Sequence, residues 1–296
     1  MTDLNAVNYL NLVGFIINTL ITFGASPVFG FPDNGELSLK YQTIVSPAGF
    51  TFGIWGIIFI SQGIFSVMQM LPAYRYHPLI QEGVSYWYFS ACIFQSIWTF
   101  AFGYEVFALS VLMMGGILCS LVPIVIQQSK IDSHPSSAIG DFWQYKYPFS
   151  IHCGWIAAAF AVNVNVYISS QGYGAAVLEQ WAYITIVYAI LCAGFALFYL
   201  SPPDFTIPSV LVWATFGIAL ELRNPEEAIE NLFEEDIIAR VRGLVIALCI
   251  ALGIVTTGYG IYLRVVGGKN ESTRSSNGEG NEGNEGAEYN GNAMTA

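Results

Sequence analysis

Apolar residues along the chain gather into eight runs, near 7–24, 49–71, 85–104, 106–127, 148–169, 180–200, 206–222 and 241–265, each bounded by polar residues, proline or glycine. A helix needs about 20 apolar residues to cross a hydrocarbon core, and these runs approach that length. The pattern therefore predicts an all-α integral membrane protein with about eight transmembrane helices. A tight turn around Gly103-Tyr104-Glu105 makes the third and fourth spans antiparallel neighbours, and Ser201-Pro-Pro-Asp-Phe joins the sixth and seventh in another short hairpin.

Two stretches break the pattern. Asn224-Pro225-Glu226-Glu227 has a capping residue, a proline at the first helical position and acids in the first turn. Beyond it Ile229, Leu232, Phe233 and Ile237 recur at helical spacing opposite Glu227, Glu230, Glu234 and Glu235, which predicts an acidic amphipathic helix over 225–240. From Gly267 onward the chain is Gly, Asn, Glu and Ser, a composition that buries too little apolar surface to offset its ordering entropy. The domains expected are thus a bundle over 1–170, three further spans with the acidic helix over 171–266, and a disordered tail over 267–296.

Composition agrees with the pattern: of 296 residues 54% are hydrophobic and only 10% charged, which excludes an ordinary soluble domain. The net charge of −11 is localised, since 225–241 hold six acids against Arg240, and the tail holds five against Lys269 and Arg274. No basic patch is present to neutralise phosphates, so no nucleic-acid partner is expected. The five cysteines fall inside the spans without disulfide or zinc spacing and read as small buried residues. With no Lys or Arg ahead of it, the first run reads as a retained span and not a cleaved signal. Arg75, Lys130, Lys146, Arg264, Lys269 and Arg274 fall on the side of the termini, against Lys40, Arg223, Arg240 and Arg242 on the other, so the positive-inside rule places the termini in the cytosol.

No catalytic constellation emerges. His77, His134 and His152 lie in different segments without metal-ligand spacing, so neither a metal nor another cofactor is expected and the chain does not read as an enzyme. What stands out are helix faces mixing aromatic with uncharged polar groups. On the second span Thr51, Trp55, Gln62, Ser66 and Gln69 share a narrow sector; on the third, Tyr88, Gln95, Trp98 and Phe102; on the fifth, His152, Trp155, Ala159 and Asn163. Amides facing lipid cost several kcal/mol, so these faces turn inward. They either cross-link helices or converge on a pocket with aromatic walls and a few polar groups. The pairs Gly154/Ala158 and Ala157/Ala161 let a neighbouring helix approach closely.

Pro47-Ala-Gly-Phe-Thr-Phe-Gly-Ile-Trp55, followed by Gly63, resembles the second-helix signature of the translocator protein family, also called tryptophan-rich sensory proteins or peripheral benzodiazepine receptors. Phe59 stands where that family usually has tyrosine. Gln95-Ser-Ile-Trp98-Thr-Phe-Ala-Phe-Gly103 is similar to its third-helix segment, one residue shorter between tryptophan and glycine. Trp155 through Asn163 is similar to its last-helix tryptophan and asparagine. The resemblance covers about 7–169 and implies a five-helix bundle, followed here by three helices that short members lack. It implies a non-enzymatic protein that binds, senses or translocates a hydrophobic small molecule of the porphyrin (tetrapyrrole) or sterol class, with Thr51, Trp55, Gln62, Gln95, Trp98, His152, Trp155, Ala159 and Asn163 as candidate ligand-binding residues. The expected surroundings are the lipid bilayer and, as an allowed assembly, a homodimer. A secondary transporter of a small solute and a structural subunit of a membrane complex remain the alternatives at this point.

Overall fold

A computed structural model describes residues 3–32, 34–134 and 136–282, with side chains described as far as Val266 and not for Asn34. The described residues are all-helical, with no strands. In chain order the helices are α1 (Ala6–Phe29), α2 (Asn34–Lys40), α3 (Ile54–Met68), α4 (Trp87–Gly103), α5 (Phe107–Ser129), α6 (Ala138–Asp141), α7 (Tyr147–Ser170), α8 (Ala175–Gly194), α9 (Thr206–Glu221), α10 (Glu227–Leu232) and α11 (Glu235–Glu282). A 3-10 turn, Gly49–Gly53, leads into α3; the π-helical turn Phe142–Lys146 joins α6 to α7, and Phe195–Tyr199 extends α8. Contacts group the chain into two compact units, Met1–Gly253 and Ile254–Ala296.

The burial pattern is inverted relative to a soluble protein. In α1 the buried positions include Asn8, Asn11, Gly14 and Asn18, whereas Ile16, Ile17, Leu20 and Phe23 are exposed. Three asparagines inside and isoleucine outside is what a hydrocarbon solvent selects, because there the amides find partners only within the protein. Asn8 Nδ2 donates to the carbonyls of Gln69 and Arg75, both at 3.2 Å, and Asn11 Nδ2 to that of Ser85 at 3.1 Å. The helix starts from a reciprocal Asn5/Asn8 capping box and ends at Gly30, whose left-handed φ of 73° lets its N–H reach Ser26 O. Several apolar helices with this outward face form an integral, multi-pass membrane protein.

Among the described residues six helical stretches are long and apolar enough to cross a membrane: Ala6–Phe29, Gly49–Met68, Phe107–Ser129, Ala138–Ser170, Ala175–Tyr199 and Glu235–Val266. They coincide with six of the eight runs read in the sequence. The other two runs are helical but shorter, α4 with 17 residues and α9 with 16. Asp204 sets where α9 begins: its Oδ1 accepts from Thr206 N at 2.7 Å and Ile207 N at 3.0 Å, while Ser150 Oγ donates to Oδ2. Burial pushes the Asp204 carboxyl above the ordinary carboxylate range in spite of these bonds.

The turn between α4 and α5 is made by Glu105 at φ 60°, and the two helices pack closely, as the short connection requires. α7 is the hub, packing against α3, α5, α8 and α9. No residue of α7 from Tyr147 to Ser169 is exposed, whereas α1 buries only six of its 24, so α7 has neighbours on every side. Its small residues permit this: a Cβ on Gly154 would lie 3.0 Å from Val210 Cβ and 3.1 Å from Ile207 Cα, so α9 approaches α7 almost to backbone contact.

The acidic segment expected as one helix over 225–240 is divided. α10 ends at Phe233, which is extended (φ −119°, ψ 142°), and α11 starts at Glu235. Ile229 and Phe233 are buried in a cluster with Leu178, Ala182, Ile218 and Val241, while Leu232 is exposed. The acids stay outside, and the apolar anchors are spent on the bundle. The backbone of α11 is helical to Glu282, reaching into the stretch expected as a disordered tail; 283–296 lie outside the described residues. Of the cysteines expected to be buried, Cys92 and Cys153 are; Cys119 is exposed, and Cys192 and Cys249 are half-buried, Cys192 against the core and Cys249 Sγ 3.7 Å from Val212 O on α9.

Gly154→Ala places a methyl group against the backbone of α9 and is expected to lower stability by about 1–3 kcal/mol. At Gly56 a Cβ meets nothing within 4 Å, so Gly56→Ala is expected to change stability by no more than about 0.5 kcal/mol. Thermal unfolding of both variants in the same detergent measures the difference.

Candidate functional site

The loop before α3 is built as a rigid wall. Thr51 Oγ1 donates back to Ala48 O, Ala48 N donates to Gly217 O at 3.2 Å, and Trp213 Nε1 donates to Thr51 O at 3.1 Å. A Cβ on Gly217 would meet Thr51 Cγ2 at 2.5 Å, so α9 touches this loop directly. With the loop fixed, the next aromatic residues project inward. Trp55 meets Trp155 edge to face at 6.2 Å between ring centroids, and Phe52 meets Trp155 in the same way at 5.7 Å.

These three rings line a cavity of about 310 Å³. Trp98, Phe102 and Met114 form its wall on α4 and α5, and Ala158, Ala159, Val162 and Asn163 its wall on α7. Thus Trp55, Trp98, Trp155, Ala159 and Asn163, five of the nine candidates, are brought to one cavity. Asn163 is also a cross-link: its Oδ1 accepts from Trp98 Nε1 at 3.0 Å and its Nδ2 donates to Ser110 Oγ at 2.9 Å. Trp98 in turn stacks on Phe102 at 5.2 Å. One amide thereby sets the ring positions on α4 from a point on α7.

The other four candidates are buried outside the cavity lining. Gln62 does not reach Asn163. Tyr88 donates to Gln62 Oε1 at 3.2 Å, which turns the Gln62 amide nitrogen toward His152 Nδ1 at 2.8 Å. Nδ1 then accepts, and the ring proton sits on Nε2, which has no partner. The imidazole lies edge-on to Trp55, 5.8 Å between centroids, so this three-residue chain supports the tryptophan from behind. Gln95 is buried on α4 with Oε1 unpaired, and Thr51 belongs to the loop brace already described.

Sequence reasoning missed the outer wall. Tyr188 and Thr185 on α8, Leu211, Thr215 and Glu221 on α9, and Val245 and Leu248 on α11 also line the cavity, as do Ser38, Leu39 and Gln42 around α2. Spans six to eight show no aromatic-polar face of the kind that marked the others. The one available signal was Glu221, an acid ending an apolar run, which reads as a span boundary. Beside α2, Lys40 Nζ bonds Glu105 Oε1 at 2.6 Å and Tyr41 donates to Oε2. These bonds, the lysine's first, hold the Glu105 carboxyl below its usual range. A second cavity, of about 480 Å³, lies among Gln128, Asp132, Lys146, Ser150, Asp204 and the prolines 202 and 203; none of the nine candidates lines it.

A family model described as TSPO-like protein matches residues 7–257. The chain belongs to the TSPO-like family. No curated protein and no solved structure matches it. Family membership agrees with the signature around Pro47 and Trp55 and extends it: the match runs through α8, α9 and α10 and well into α11, so the helices beyond residue 169 belong to the matched region. Membership in the TSPO-like family carries ligand binding or sensing in a membrane as its general activity, of a binding or transport kind.

Asn163→Leu removes the acceptor of Trp98 and the donor to Ser110, and is expected to lower stability by about 0.6–2 kcal/mol. A double-mutant cycle with Ser110→Ala, read by thermal unfolding, separates the cross-link from lost packing. Additive effects would show that the amide does not couple the helices.

Proposed function

We propose that this protein binds a hydrophobic small molecule of the tetrapyrrole or sterol class within the membrane, in the cavity walled by Trp55, Trp98 and Trp155, and works by sensing or translocation without catalysing a reaction. The observation that carries the reading is the shared cavity itself: two tryptophans far apart in sequence meet edge to face in a largely apolar wall, with Asn163 as a fixed polar point. Aromatic walls supply affinity through contact area and a few polar groups fix orientation. A volume of about 310 Å³ lies at the compact end of ligand pockets, which span roughly 300–1,000 Å³. In this reading residues 1–170 are the bundle that supplies the tryptophans, and α8, α9 and α11 close its outer side. Gln62, His152, Gln95 and Thr51 act by holding those walls and not by touching ligand.

The test is a titration of purified protein with a porphyrin and with a sterol, followed by tryptophan fluorescence and by displacement. Saturable binding of at least one is expected, and Trp155→Phe should weaken it by roughly tenfold with an unchanged elution profile. Binding indifferent to Trp155 and Trp55 would end the pocket reading.

We further propose that α4 and α9 cross the bilayer despite their length, which gives eight spans and puts both termini on one face. Tags at the two ends should show equal protease accessibility in sealed vesicles. Opposite accessibility would show an odd number of crossings.

A further inference from the structure

Among the described residues the cavity's lining holds one charged side chain, Glu221. Its setting is unusual in three respects. The carboxylate stands in the last turn of α9, where the helix dipole already presents negative carbonyl ends, so its own helix disfavours it. Among the described residues no cation lies within 4.0 Å of Glu221, whereas Glu105 is paired with Lys40 and Glu179 with Arg240. Two arginines of α11 are engaged elsewhere: Arg240 donates to Glu179 Oε1 at 3.0 Å and Arg242 to Leu222 O at 3.3 Å.

The third feature is the partner it does have. Gln42 Nε2 donates to Glu221 Oε1 at 2.6 Å. A carboxylate only accepts, so it fixes the Gln42 amide with its nitrogen inward and its oxygen turned away. That oxygen, Gln42 Oε1, is buried and has no donor. Gln42 also lines the cavity. This end of the cavity therefore holds a carboxylate and an orphaned carbonyl oxygen, while the other unpaired polar atoms of the lining, Trp155 Nε1 and the Tyr188 hydroxyl, belong to α7 and α8. A buried acceptor left unpaired costs about 1–3 kcal/mol, and a ligand donor removes that cost.

From this we infer that the ligand's polar end is a positively charged hydrogen-bond donor, a protonated amine or its equivalent on a bulky apolar body, held by Glu221 and Gln42 Oε1. This rests on the pocket reading above and narrows it. The aromatic walls suit the same charge, because the faces of Phe52, Trp55 and Trp155 attract cations. An anionic end, such as a pair of propionates, meets repulsion from Glu221 and finds no cation among the described lining residues. Glu221 and Gln42 lie outside the aromatic motifs of the five-helix bundle, so this selectivity comes from α9 and the segment after α2.

The experiment uses the full-length protein in detergent and three probes with one body: a sterol bearing a 3-amino group, the neutral 3-hydroxy sterol and the 3-sulfate. A cationic and an anionic porphyrin form a second matched pair. The amine should bind at least about tenfold more tightly than the sulfate, with the neutral sterol between them, and the cationic porphyrin more tightly than the anionic one. Glu221→Gln keeps an acceptor for Gln42 and should bring the amine-to-sulfate ratio close to one. Saturable binding of all probes without charge preference, or a preference unchanged in Glu221→Gln, overturns the inference and leaves the pocket reading standing. No saturable binding by any probe overturns both.

Discussion

In a hydrocarbon solvent an amide without a protein partner is a cost of several kcal/mol, and the arrangement of the helices follows from paying that cost nowhere on the outside. Asn8, Asn11, Gln62, Gln69, Gln95, Gln128, Asn163 and Asn165 are all buried, and most find partners on other helices or on connecting loops. Each such bond fixes a rotation as well as a contact. Gln128 Nε2, for example, donates to Tyr145 O at 2.9 Å and so ties the end of α5 to the π-helical turn ahead of α7. Lipid-facing isoleucine, leucine and phenylalanine then need no specific partner at all.

With polarity pinned inside, α7 becomes the element around which the others are arranged. It tolerates neighbours on every face because its sequence alternates small and large positions: Gly154 admits α9, while Trp155, one residue on, fills the space toward α3. Alanines at 157, 158, 159 and 161 leave room that no neighbouring side chain fills, and this room is part of the cavity. The close approach of α9 and the existence of an internal space are thus two consequences of one run of small residues.

The cavity is correspondingly a composite. Its aromatic floor comes from α3, α4 and α7, whose rings are set by the chain of Tyr88, Gln62 and His152 behind Trp55 and by Asn163 beside Trp98. Its outer wall comes from α8, α9 and α11, and its polar end from Glu221 and Gln42, residues far apart in sequence that meet at 2.6 Å. The first group gives the cavity its shape and aromatic surface, the second a carboxylate and one unpaired acceptor.

The amino-acid sequence by itself determined the solvent, the helices and the inward faces. Runs of apolar residues near membrane-spanning length leave no other secondary structure able to satisfy the backbone in lipid, and in the sector holding Thr51, Trp55, Gln62, Ser66 and Gln69 all but the half-buried Trp55 are buried, because periodicity alone assigns a helix its polar side. The spacing from Pro47 through Trp55 and Gly63 likewise sufficed to indicate the family. What only the tertiary structure decided was which inward residues meet a void and which meet each other. Gln62 and Asn163 look alike in sequence, yet one braces an imidazole behind the wall and the other stands in it. Helical periodicity gives a direction for each side chain but not the rotation and offset of the neighbouring helix, and those are set by close packing such as Gly154 against Ile207. For the same reason Glu221 read as the end of a span, and only the fold of α9 over the loop at 47–51 brought its carboxylate to the cavity.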